Sequence, residues 1–176
     1  MIQRKATQIG NPIIRSSSRK VKDISSRKIK RIIQNLIDSM RFHELVGMAA
    51  PQIDLNIRIF VTEIRATKTR RKQKNADPLR VYINPSIVSY SKKHTLGYEG
   101  CGSVASGQLF GPVRRPEKVV VRAKDEKGRV FILEAKDLLA RVIQHELDHL
   151  DGLVFIDKVA DTKKLLDRSE YIKKFR

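Results

Sequence analysis

Apolar residues recur at helical spacing twice in this chain, with strand-like runs between. Ile29, Ile32, Ile33, Leu36, Ile37 and Met40 form one complete stripe, so the pattern predicts a helix near residues 26–41 with Ser25 or Ser26 as its N-cap. Further on, Leu138, Leu139, Val142, Ile143, Leu147 and Leu150 fall on one arc when wound at about 100° per residue. Asp137 is placed to cap this second helix and Gly152 to end it, while Asp137, Arg141, Gln144 and Asp148 take the opposite side. Between the helices, IRIFVTEI (57–64) and LRVYINP (79–85) read as strands, and EKVVVRAKDEKGRVFILEA (117–135) as a hairpin turning at Asp125–Gly128. Two segments break the periods. LVGMAAPQI (45–53) is too rich in small residues for a packed helix and reads as a backbone-exposing loop, and ATKTRRKQKNADP (66–78) as a basic mobile loop. The class is α+β, with no internal repeat or linker, so residues 1–176 are expected to form a single domain.

The second helix carries an anomaly. His145, Glu146 and His149, in the run HELDH, project into the apolar arc. A buried polar group without a partner costs a few kcal/mol and an unpaired charge more, so these side chains require a partner. Two histidines one turn apart can turn ring nitrogens to one ion, with the intervening Glu over the remaining coordination position. Surface-exposed polar residues are the bland alternative, and burial of the arc argues against it. A site that keeps one position for water needs a third protein ligand. Glu170 is the downstream carboxylate that a gluzincin-like protease would use, but it lies in the exposed-looking tail DRSEYIKKF. The extension with a third histidine fails, because Phe155 stands where that histidine would be. Cys101, set between glycines in GYEGCGSV, is the better candidate, and as the lone cysteine it excludes an internal disulfide.

Charge widens the range of partners. Against 19 Asp and Glu the chain has 37 Lys and Arg, a formal net charge of +18. Such an excess suits association with polyanions such as RNA or a ribosome surface, or equally a solvated basic face. Aromatics are too few, at 6%, to interleave with the charges as an RNA-reading signature, so no sequence-specific nucleic-acid contact is expected. No apolar run approaches the roughly 18–20 residues of a membrane span. The Ser-rich basic stretch SSSRKVKDISSRK has a transit-peptide composition, but a helix of the fold follows at once, which favours a cytoplasmic location over an organellar one.

Three blocks, VGMAAPQ (46–52), EGCGS (99–103) and QHELDHLDG (144–152), give the chain its family likeness. In order and spacing they resemble the motifs of the peptide deformylases. The resemblance implies mixed or antiparallel β-sheets around a central HExxH metal-binding helix, with an N-terminal helix and a C-terminal basic helix. It implies a hydrolase that removes the formyl group from the N-terminal formylmethionine of nascent polypeptides, with a metal held by Cys101, His145 and His149. Fe(II) is the native ion it implies, with nickel, cobalt or zinc able to substitute. Glu146 would be the acid-base group, and the Gln52 amide and the Gly102 N–H would bind the oxyanion. Val46, Gly47, Arg141 and Val142 would line the substrate site, and the ribosome would meet the basic C-terminal tail. Two positions depart from the family pattern: Leu45 stands where the first motif begins with Gly, and Gly102 where the second most often has Leu. A zinc endopeptidase using HELDH, or a basic ribosome- or RNA-associated module with a vestigial metal site, would be the alternatives.

Overall fold

The computed structural model describes residues 5–67 and 75–175. Residues 68–74 of the basic stretch expected to form a mobile loop therefore lie outside the described residues. The first helix, α1 (Arg27–Phe42), begins behind Ser26, whose hydroxyl accepts from the Ile29 N–H at 3.4 Å. Its apolar stripe is buried throughout, against a core that includes Met48, Ile59, Val61 and Ile83.

Eight strands follow among the described residues: β1 (Gly47–Ala49), β2 (Ile59–Ile64), β3 (Asp77–Tyr90), β4 (His94–Gly100), β5 (Leu109–Pro116), β6 (Lys118–Lys124), β7 (Val130–Lys136) and β8 (Leu166–Asp167). They pair antiparallel in two sheets, ordered β1-β2-β3-β6-β7 and β4-β5-β8. The hairpin turns as expected, with Gly128 at φ +79° and the Asp125 carboxylate accepting from the Lys127 and Arg129 N–H groups. Strand β3 runs longer than LRVYINP predicted. A bulge carries it past Pro85, with Asn84 at φ 51° and the register shifting between Ile83 and Ser86.

The segment expected as a backbone-exposing loop, 45–53, is instead the buried edge strand β1 followed by a 3-10 turn, Ala50–Ile53. Small residues serve here to let two helices approach the strand, and both α1 and α2 contact it. Helix α2 (Asp137–Leu150) sits between the two sheets. Asp137 does not cap it: the helix begins at this residue, which has φ 54°, and the N-cap position is Lys136, whose side chain makes no capping bond. Gly152 does end it, at φ +77°, where a Cβ would stand 2.6 Å from the Arg15 carbonyl oxygen. A short third helix, α3 (Arg168–Phe175), closes the chain, as the basic C-terminal helix expected. No helix among the described residues is long and apolar enough to cross a membrane.

Candidate active site

One side of α2 is apolar: Ile143, Leu147 and Leu150 pack with Phe60, Tyr82, Val119 and Val121 of the five-stranded sheet. The opposite side, which carries the polar residues, is bonded into the protein. Gln144 is buried and donates to the carbonyls of Pro116 and Ala140 at 3.0 Å. Asp148 accepts from Arg115 at 2.8 Å and pairs with Lys158 at 3.1 Å. Arg141 donates to Glu99 at 2.7 Å and to the Thr95 and Val113 carbonyls at 2.9 and 3.0 Å. Its guanidinium is thus engaged with the backbone of β4 and β5, at the edge of the cleft it was expected to line.

Glu99 is the hub of this layer. Arg115 grips its carboxylate with two hydrogen bonds, at 2.7 and 2.8 Å, and the His145 Nδ1 lies 2.9 Å from Oε2. Burial works to raise its pKa, but the hydrogen bonds from Arg115 and His145 outweigh this and hold the carboxyl far below the usual range. No role was read for Glu99 in the sequence, although it stands two residues before Cys101 in the EGCGS block. Its partners are 16 to 46 residues away in the chain.

From the end of β4 the chain turns Cys101 inward, where it is 4% exposed. Its Sγ lies 3.1 Å from the His149 Nε2, 3.4 Å from the Ser103 N–H nitrogen and 3.6 Å from the Gln52 Nε2. The ligand atoms of Cys101, His145 and His149 all lie within 4.8 Å of one another. Burial alone would raise the thiol pKa, yet the two histidines bring it well below the ordinary value, so a thiolate is favoured. The Nδ1 contact to Glu99 fixes the His145 ring and leaves its other nitrogen to the cluster, as an outer carboxylate does for a metal-bound histidine.

Glu146 completes the arrangement. One oxygen, Oε1, lies so close to Gly47 that a Cβ there would be 2.5 Å from it, so the glycine is required for this approach. The other, Oε2, is buried without a hydrogen-bond partner among the described residues. Burial raises this carboxyl to a pKa of about 7, against the opposing pull of the histidines. Gln52 has its amide oriented: Oε1 accepts from the Ala49 N–H at 2.8 Å, which leaves Nε2 facing the thiol. These groups sit in a cleft of about 700 Å³ that Val46, Gly47, Gly102, Arg141 and Val142 also line. Two further walls were not read from the sequence. Gln8 bonds the Gly102 carbonyl at 2.7 Å, and Tyr171 of α3 stacks on Phe110 at 4.2 Å.

The two departures meet in space. A Cβ on Gly102 would be 3.8 Å from the Leu45 Cδ1 and 3.5 Å from the Ala6 Cβ. The side chain added at 45 therefore lies beside the one missing at 102. Glu170, the alternative third ligand, is exposed on α3 and pairs with Lys173 at 2.7 Å, outside the cluster.

A helix presenting His, Glu and His to a thiol at the head of a cleft defines the class of HExxH hydrolases. The family model for polypeptide deformylase matches residues 3–165. A peptide deformylase of Dictyoglomus thermophilum is 38% identical over 158 residues, spanning 90% of this chain and 94% of that one. A peptide deformylase from Synechococcus elongatus, solved in complex with actinonin, superposes with a TM-score of 0.79 at 32% identity, over 91% of this chain and 82% of that one. One from Plasmodium falciparum gives 0.78 at 31% identity, over 97% and 91%. The chain belongs to the polypeptide deformylase family.

Proposed function

We propose that Cys101, His145 and His149 hold one divalent ion and that Glu146 carries the proton in hydrolysis of an N-formyl peptide. The chain is a deformylase in activity, removing the formyl group from the N-terminal formylmethionine of nascent polypeptides. The observation that carries the residue assignment is the combination of a soft N,N,S donor set with the unpartnered Glu146 Oε2 beside it. The first would supply the ligands of an ion, and the second, otherwise a buried carboxylate oxygen without a bond, would accept a hydrogen bond from the attacking water. When bound, the ion supplies Lewis acidity, lowering the pKa of water toward about 7 and polarising the formyl carbonyl.

The chain's own residues supply the rest. Glu146 Oε2 takes the proton of the attacking water and delivers it to the leaving amine nitrogen. Gln52 Nε2 and the Gly102 N–H donate to the formyl oxygen as negative charge develops on it, and Gln52 is held for this by the Ala49 N–H. Val46 and Val142, both buried at the cleft wall, receive the apolar side chain that follows the formyl group. Gly47 keeps that wall close to Glu146. Glu99, through His145, is a positioning residue. Fe(II) is the ion we assign, with nickel, cobalt or zinc as substitutes, since the thiolate and imidazoles suit each. A ribosome contact is assigned to the outward lysines 163, 164, 173 and 174, all exposed.

The test is metal content and turnover on purified variants, with amine release from a formyl-Met peptide measured anaerobically after loading with Fe(II) or Ni(II). Cys101→Ala loses metal and activity together; Glu170→Ala keeps both. Stoichiometric metal in Cys101→Ala, with loss in Glu170→Ala, would overturn the ligand set and return the endopeptidase reading.

A further inference from the structure

A second cavity, about 450 Å³, opens where β3 bulges away from β6. The bulge is a built feature. Asn84, in the left-handed region at φ 51°, is fixed by its side chain, which accepts from the Val21 N–H at 2.8 Å and donates to the Val21 carbonyl at 2.9 Å. The hollow this leaves is lined by the cations Lys20, Arg58, Arg122 and Lys124 and by the hydroxyl residues Ser18 and Ser86, with no carboxylate among its lining residues. Arg58 is neutralised by Asp151 at 2.7 Å. Lys20, Arg122 and Lys124 make no ion pair with any described residue, so three positive charges converge on one concavity without a counter-charge.

A second observation is independent of the charges. Ser18 is 7% exposed, its N–H is tied to the Leu150 carbonyl at 2.7 Å, and its Oγ has no hydrogen-bond partner among the described residues. Buried hydroxyls without a bond are rare in native proteins and call for a group to bond with. Ser18 lines the same cavity as the three unpaired cations, a combination that suits an anion with several acceptor oxygens.

We propose that this cavity is a binding site for an oligophosphate, an anion carrying two or more adjacent phosphate groups. One phosphate monoester bears a charge of only about −1.5 to −2, which leaves part of the cationic lining uncompensated. No aromatic side chain lines the cavity, so it has no platform on which a base could stack. The site therefore reads phosphate rather than sequence, and its ligand is either a free oligophosphate or the backbone of a nucleic acid.

The experiment is titration calorimetry on the metal-loaded full chain at fixed ionic strength, with tripolyphosphate and then inorganic phosphate, metal content being verified before and after. Tripolyphosphate binds at one site and more tightly than inorganic phosphate. Arg122→Glu with Lys124→Glu weakens it at least about tenfold, Ser18→Ala weakens it severalfold, and the distant pair Lys163→Glu with Lys164→Glu leaves it unchanged. Formyl-Met peptide turnover, unaltered in the Arg122/Lys124 variant, shows that the variant is folded. A six-nucleotide RNA that competes with tripolyphosphate assigns the ligand to a nucleic-acid backbone, and one that does not assigns it to a free oligophosphate. Equal weakening by the two charge-reversal pairs would reduce the effect to net charge and overturn the proposal, as would unaltered binding in the Arg122/Lys124 variant.

Discussion

The two sides of α2 hold the helix by different physics. Toward the five-stranded sheet, Ile143 and Leu150 are fully buried among aromatic and branched side chains, and the contact is one of area and shape. Toward β4 and β5, the same helix is held by Arg141, Gln144, His145 and Asp148, bonded to Glu99, Arg115 and strand carbonyls. An apolar side tolerates substitution by repacking, because dispersion has no preferred partner. A buried ionic side does not, since each group removed leaves another unsatisfied. His145, proposed as a metal ligand, belongs to the second side, so the layer that orients it is the layer least able to give.

The largest effect should come from the ionic side. Glu99→Gln leaves Arg115, whose side chain is 3% exposed, and Arg141 without their shared counter-charge. A loss of about 3–5 kcal/mol is expected from such a break, together with a 10- to 100-fold loss of metal affinity through His145. Denaturant unfolding and a competitive chelator titration check the two numbers. On the apolar side, Ile143→Ala should cost about 2–4 kcal/mol by cavity formation while metal affinity stays near that of the parent. If Ile143→Ala weakened the metal as much as Glu99→Gln, the division between the sides would be wrong.

A third effect concerns pH. In the metal-free protein the Glu146 carboxyl is raised from 4.5 to about 7 by burial, so the folded state holds its proton more tightly than the unfolded chain. That contribution is complete below about pH 4.5 and is lost as pH rises through about 7, up to about 3 kcal/mol. Metal-free Glu146→Gln lacks it. Thermal melts between pH 5 and 8 should therefore show the parent losing stability relative to the variant as pH rises; parallel curves would remove Glu146 from the account.

The smallest effect tests the two departures from the family pattern. Leu45→Gly opens a gap beside Gly102, and Gly102→Leu crowds Leu45 and Ala6. Each alone should lower kcat/KM of peptide hydrolysis severalfold, and the double variant should recover most of it, with a coupling energy of about 1 kcal/mol. Strictly additive losses would mean that the two positions do not compensate.

What the sequence made legible follows the same division. The apolar side of α2, the stripe of α1 and the β6–β7 hairpin are local patterns, and each was readable from residues a few positions apart. So were His145, Glu146 and His149, because polar residues in an apolar arc are anomalous on their own. Strands β4 and β5 escaped, as their stretches alternate weakly and are broken by glycines. Glu99 escaped because what defines it is a set of partners distant in the chain. The buried state of Gly47–Ala49 was misread for a related reason: small residues look loop-like until the helices that press against them are in place. The bonds of Arg141 and Asp148 escaped because nothing within the helix reveals Glu99 and Arg115 across from it.

In the proposed assignment the HELDH helix separates holding the ion from moving the proton. Kinetics of Glu146→Gln at verified full metal loading tests it most directly. The substitution keeps size and hydrogen bonding but removes basicity, so metal content should equal that of the parent while kcat on a formyl-Met peptide falls about 100-fold or more. Parental kcat in a fully loaded variant, or loss of the metal with the carboxylate, would contradict the account.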